Sequence, residues 1–249
     1  MHRRRVFIAS CAMLLVTFCF TVAYAAQEGG GETEVVRKSW FDLFKSTGFV
    51  GILLVLTSVI GTALLIQYMV NINETKLGNP TLLSEVEALL SENDVDGAFT
   101  LAQSDQSYAG KVVAGAIGRS VGGYEEALEG MSQAAAVEGF RVNAKLSYLS
   151  LIGNIGPLLG LLGTVTGMIT SFQKIETMKS PTPADLAVGV YESLVNTTMG
   201  LFIAIIFLSG YFFMKNKGSD IMLRVNNTIG EILARTLSPE AQKEAGGAR

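Results

Sequence analysis

In the most apolar part of this chain the polar side chains that could do chemistry are Thr164, Ser193, Asn196, Thr197 and Thr198, with one carboxylate, Glu192, beside them. Hydroxyls and amides can solvate or relay an ion but cannot hold a charge at working pH. The surrounding sequence supplies no other carrier: Leu146 to Gln173 runs 28 residues without a formal charge, and no acid, lysine or histidine lies between Glu192 and Lys215. Polar groups at membrane depth usually face a bundle interior or a wet cavity. The chemistry on offer is therefore solvation of a small ion rather than bond making.

Small residues set the spacing of these groups. Gly153, Gly156, Gly160, Gly163 or Thr164, Gly167 and Ser171 recur at steps of three and four, which puts them along one side of a helix. Ser193, Thr197, Gly200 and Ala204 form a second stripe of the same kind. Such faces let helices approach closely in lipid, where van der Waals packing and interhelical hydrogen bonds replace the hydrophobic drive. Two readings follow. The stripes only pack helices, or these faces from several copies enclose a wet passage; faces sealed against each other within one chain would count against the second reading.

Three elements must position these residues. Phe49 to Val70 contains no charged residue, and with 146–173 and 187–214 it gives three spans. Each is long enough, since about 20 residues at roughly 1.5 Å rise cross a hydrocarbon core of about 30 Å. The expected fold is all-α: a polytopic membrane protein with three transmembrane helices and long cytoplasmic helical extensions. Thr182-Pro183-Ala184-Asp185 reads as a helix start, with a threonine cap, proline first and an acid in the first turn. Glu192 then lies about two turns inside. It is either an interfacial carboxylate favoured by the helix dipole or a group at the outer mouth of an ion path.

The remaining segments follow in order. His2-Arg3-Arg4-Arg5, the apolar run from Val6 to Val22 and Ala23-Tyr24-Ala25 read as a signal peptide, 1–25, the alternative being an uncleaved first transmembrane helix. An outer segment, 26–48, carries Trp40, Phe41 and Phe44 as an interfacial anchor. The region 71–145 is helical, with an amphipathic face of Leu82, Val86, Leu89 and Leu90, a turn over Asn93 to Gly97, and a helix starting at Val112 to Ile117 and ending near Gly122-Gly123. From Tyr124 no breaker occurs before Pro157, which is expected to kink a long helix. Residues 174–186 are read as a periplasmic loop and 215–249 as a cytoplasmic tail. Lys215, Lys217 and Arg224 place that tail inside by the positive-inside bias, and Arg37, Lys38 and Lys45 on the outer side pull against it.

Composition narrows the function classes. The chain is 249 residues long, 49% hydrophobic and 16% charged, with a mean hydropathy of +0.39, which favours membrane residence. Its formal charge of −3 gives no footprint for nucleic acid. Both cysteines, Cys11 and Cys19, and the sole histidine, His2, fall in the signal segment. A mature chain without them has no disulfide, no Cys/His zinc site, no His- or Cys-ligated haem and no His-activated nucleophile. No metal, cofactor or enzymatic motif is expected.

Two runs carry a resemblance: PLLGLLGTVTGMITSF, Pro157 to Phe172, and ESLVNTTMGL, Glu192 to Leu201. Together, in this order and topology, they resemble the paired core motifs of the MotA/TolQ/ExbB proton channel family, most closely its ExbB-like biopolymer transport branch. The resemblance implies a homo-oligomer, a pentamer, whose second and third spans line a lumen around two single-span ExbD/TolR-like chains. It also implies that ion flow drives mechanical work on a TonB-like or other envelope effector from the inner membrane. Thr164 and Thr197 match the family's lumen-facing hydroxyls and Glu192 its acidic position. Asn196 and Thr198 stand where ExbB proteins commonly carry small apolar residues, which leaves the ion open between H⁺ and Na⁺. The residues themselves point to a partner too, because a proton-driven device needs a titrating group near the membrane centre and these spans hold none there. A structural scaffold and a passive channel acting alone remain the alternatives.

Overall fold

The computed structural model describes residues 48–178 and 182–238. The expected signal peptide, the aromatic segment around Trp40 and the end of the tail lie outside the described residues. Seven α-helices and one 3₁₀ turn account for nearly all of what is described: α1 Gly48–Asn71, α2 Glu74–Leu77, α3 Pro80–Ser91, α4 Val95–Ser104, α5 Tyr108–Ile117, the turn Ser120–Gly122, α6 Tyr124–Thr177 and α7 Pro183–Leu237. The chain is all-α, with three helices long and apolar enough to cross a membrane.

α1 is helical because it is an uninterrupted run of apolar residues whose few hydroxyls turn inward on their own backbone. Thr57 Oγ1 donates to the Leu53 carbonyl at 2.7 Å and Thr62 Oγ1 to that of Ser58 at 2.8 Å, so neither needs water. One side of α1 packs through Val50 and Leu54, while Phe49, Ile52 and Val59 face outward. Gly61 meets the Phe207 ring of α7, and the Tyr68 hydroxyl donates to the Lys145 carbonyl of α6 at 2.6 Å.

α6 and α7 dominate the molecule. At 54 and 55 residues each is about 80 Å long. They run antiparallel: Gly139 lies against Met222, Gly153 against Leu208, Gly163 against Asn196, and Ser171 against Gly189. α6 continues unbroken through Pro157 and on through Lys174–Thr177, into the segment expected as a periplasmic loop. α7 starts at Pro183, as the cap signal predicts, and does not stop at Met214. No further proline lies between Pro183 and Leu237.

The short helices α3 to α5 wrap the lower half of this hairpin. Leu82, Leu83, Val86 and Leu90 of α3 are buried with Val112, Val113 and Ile117 of α5 and with Ile221, Ile229 and Leu233 of α7. Each such side chain fully buried from water contributes roughly 1.5–3 kcal/mol. Tyr108 Oη donates to Asn226 Oδ1 at 2.9 Å, and Arg224–Glu74 and Arg235–Glu87 pairs at 2.8 and 3.0 Å link α7 to α2 and α3.

Two local expectations are corrected. Asn93 to Gly97 is only partly a turn: Asp94 caps α4 by accepting from Gly97 N at 2.9 Å, so Gly97 is already helical. The helix placed at Val112 to Ile117 begins at Tyr108, capped by Ser107 Oγ accepting from Gly110 N at 3.1 Å, and it ends at Ile117 rather than near Gly122-Gly123.

Candidate functional site

The seam between α6 and α7 is built from missing side chains. A Cβ on Gly156 would lie 2.9 Å from the Gly200 carbonyl oxygen, one on Gly160 3.0 Å from the Asn196 carbonyl oxygen, and one on Gly153 2.7 Å from Leu208 Cγ. Gly200 meets the Gly156 carbonyl in return, and Gly167 meets Ser193 Oγ. At each of these places only a hydrogen lets the backbones approach this closely.

Hydroxyls close the seam where the glycines open it. Thr197 Oγ1 donates to the Gly160 carbonyl at 3.3 Å, and Ser193 Oγ lies 3.3 Å from the Thr164 carbonyl while donating to its own Gly189 carbonyl at 2.7 Å. Donors one turn apart on α7 thus reach acceptors one turn apart on α6. Asn196 sits between them against Gly163, 4% exposed, and its Oδ1 has no hydrogen-bond partner among the described residues. A buried amide oxygen without a donor is costly.

The predicted residues therefore divide. Gly153, Gly156, Gly160, Gly163, Gly167, Ser193, Asn196 and Gly200 come together inside one chain as a helix-packing seam. Close packing between α6 and α7 takes up these faces within one chain. Thr197 is half-buried at the edge of the seam. Thr198 lies outside it, exposed, with its hydroxyl donating to the Leu194 carbonyl at 2.9 Å. Glu192 belongs to α7 next to Ser193, and its side chain lies outside the described residues.

Thr164 holds a different place. Its backbone carbonyl faces the seam, but its hydroxyl turns away and donates to the Leu161 carbonyl at 2.7 Å. It opens an exposed groove along α6 formed by Thr164, Met168, Ile169, Phe172, Gln173 and Glu176. Sequence reasoning misses Glu176, since it falls in the expected loop 174–186; the four-residue row Thr164, Met168, Phe172, Glu176 is the signal that could have found it. Among the described residues no cluster of histidine, cysteine, aspartate or glutamate could hold a metal.

Residues 106–227 match the MotA/TolQ/ExbB proton channel family. Over that segment the chain is similar to this family. The match takes in α5, all of α6 and most of α7, hence the whole glycine seam and the Thr164 groove. Among relatives, the chain is 38% identical over 82 residues to the Tol-Pal system protein TolQ of Pseudomonas aeruginosa, covering 31% of this chain and 36% of that protein. It is 37% identical over 91 residues to the biopolymer transport protein exbB1 of Vibrio cholerae, 36% of this chain and 40% of the relative. To a putative biopolymer transport protein ExbB homolog of Methanothermobacter thermautotrophicus it is 26% identical over 182 residues, 72% and 64% of the two chains. In each case the match spans less than two thirds of the relative. The match to the MotA/TolQ/ExbB family and three apolar helices agree on a membrane location.

Proposed function

We propose that this chain is a channel and motor subunit that couples a proton or sodium gradient to mechanical work on envelope transport machinery. It works in the inner membrane as a homo-oligomer, expected to be a pentamer, with the mature N-terminus periplasmic and the C-terminus cytoplasmic. A single-span partner of the ExbD/TolR kind supplies the membrane aspartate, and the work passes to a TonB-like or other envelope effector. The family match over 106–227 and relatives named for Tol-Pal and biopolymer transport support the class.

The observation that carries the reading is the placement of Thr164. Its hydroxyl lies on the open side of α6, one turn from the Gly160 carbonyl that holds Thr197, in two spans that contain no charged residue at that level. Such a face can solvate an ion and still needs a charge carrier from outside the chain. Thr164 and Thr197 form the middle of the path, Glu192 its acidic end, and Thr198 an exposed hydroxyl beside it. Asn196 takes part from within the seam, by fixing α7 against Gly163.

A scaffold reading is favoured by one observation, the glycine seam sealed within a single chain. Thr164→Val separates the two, since it keeps the volume and removes a hydroxyl that the seam does not use. With the partner present in liposomes, the proposed function requires cation flux to fall while assembly is unchanged. Unchanged flux leaves the scaffold. Steady conduction by the purified protein without any partner would instead make it a passive channel.

A further inference from the structure

The Thr164 groove has two polar ends, and only one of them belongs to the path drawn so far. Thr164, Met168, Phe172 and Glu176 fall in one row at four-residue steps, with Ile169 and Gln173 beside them. Thr164 and Glu176 are about 18 Å apart along the helix axis. Between them the walls are apolar apart from Gln173, which adjoins the carboxylate. Glu176 is exposed and, among the described residues, forms no ion pair; Lys174 is the nearest basic residue on its helix. Because Gly167 packs on Ser193, α7 passes Glu192 close to the level of Met168. Glu176 lies about two turns further toward the α6–α7 loop.

An exposed glutamate at a helix end is ordinarily a solvated surface charge. This one differs in what it terminates: a groove with low-dielectric walls focuses the field of a charge at its mouth and raises the local concentration of counter-ions. We propose that Glu176 is the cation-collecting residue of this subunit, drawing a monovalent cation, a proton or Na⁺, into the groove that leads to Thr164. The assignment rests on the proposed function.

The test uses the assembled complex with its partner in liposomes, driven by a Na⁺ gradient in one arm and a proton gradient in the other. Glu176→Gln raises the cation concentration for half-maximal flux about fivefold, the effect of one unit charge touching the ion in bulk water, and leaves the maximal rate unchanged. Glu176→Asp restores most of the affinity. Added choline chloride narrows the difference between wild type and Glu176→Gln, because salt screens an exposed charge. The arm that shows the shift identifies the ion. A half-saturation that does not move, or a lower maximum at unchanged half-saturation, overturns the inference. If Thr164→Val also leaves flux unchanged, the proposed function falls with it; if Thr164→Val stops flux while Glu176→Gln shifts nothing, only the role of Glu176 is lost.

Discussion

Thr197 Oγ1 donates across the α6–α7 seam to the backbone carbonyl of Gly160 at 3.3 Å, and Gly160 can present that carbonyl only because it has no side chain. Ser193 repeats the approach one turn away at Thr164, so backbone closeness and hydroxyl bonding are two parts of one device. Thr197→Val tests it. Interhelical hydrogen bonds of this type in membranes contribute about 0.6 kcal/mol, so a loss of that order in unfolding free energy in detergent is expected. Thr164→Val, whose hydroxyl bonds within its own turn, leaves stability unchanged. Equal losses in the two variants would contradict this division.

The glycines along the same helices are not equivalent. Gly160→Ala places a methyl against the Asn196 carbonyl and the Thr197 backbone and is expected to cost roughly 1–3 kcal/mol by overpacking. Gly230, also helical, has no neighbouring atom among the described residues within 4 Å of the place a methyl would take, so Gly230→Ala stabilises by up to about 1 kcal/mol through helix propensity alone. Thermal melts of the two variants should move in opposite directions.

Asn196 gives a prediction of unusual sign. Its Oδ1 is buried without a donor among the described residues, and replacing an unsatisfied polar group by an apolar one of similar shape can be neutral or stabilising. Asn196→Leu should raise the unfolding temperature while reducing coupled flux, because a small residue at Gly163 fits the amide and the amide fixes α7. A lower unfolding temperature would show that Oδ1 acquires a donor in the assembled complex.

Asp105 links stability to pH. Desolvation pushes its carboxyl upward, but hydrogen bonds from the Ser107 backbone, the Asn79 amide and the Ser107 side chain outweigh it and hold the group below its ordinary value of 3.8. The folded-state pKa is depressed, so the stabilisation is fully present above the unfolded value and is lost as pH falls through the folded one. Asp105→Asn should therefore lower stability at neutral pH and weaken its decline below about pH 4. Unfolding curves of the full chain between pH 7 and 3 check both.

Much of this arrangement is legible in the residues alone. Period and length identify α1 and the glycine-rich stretch of α6 as spans, and Thr182-Pro183 marks the start of α7, because hydrocarbon thickness and capping act locally along the chain. The short helices are less legible: Ser107 and Asp94 act as caps, yet each reads equally well as a turn residue until its side chain is seen to accept a backbone N–H.

Helical spacing determines by itself that Gly156, Gly160, Ser193 and Thr197 share faces, since 3.6 residues per turn leaves no other arrangement. What covers those faces is a matter of pairing between residues about 40 positions apart. Spacing cannot tell a face that lines water from one that meets another helix, because both favour small and hydroxyl-bearing side chains. Only the antiparallel register of α6 on α7 decides it, burying Asn196 against Gly163 and leaving Thr164 and Glu176 at the two ends of one open groove.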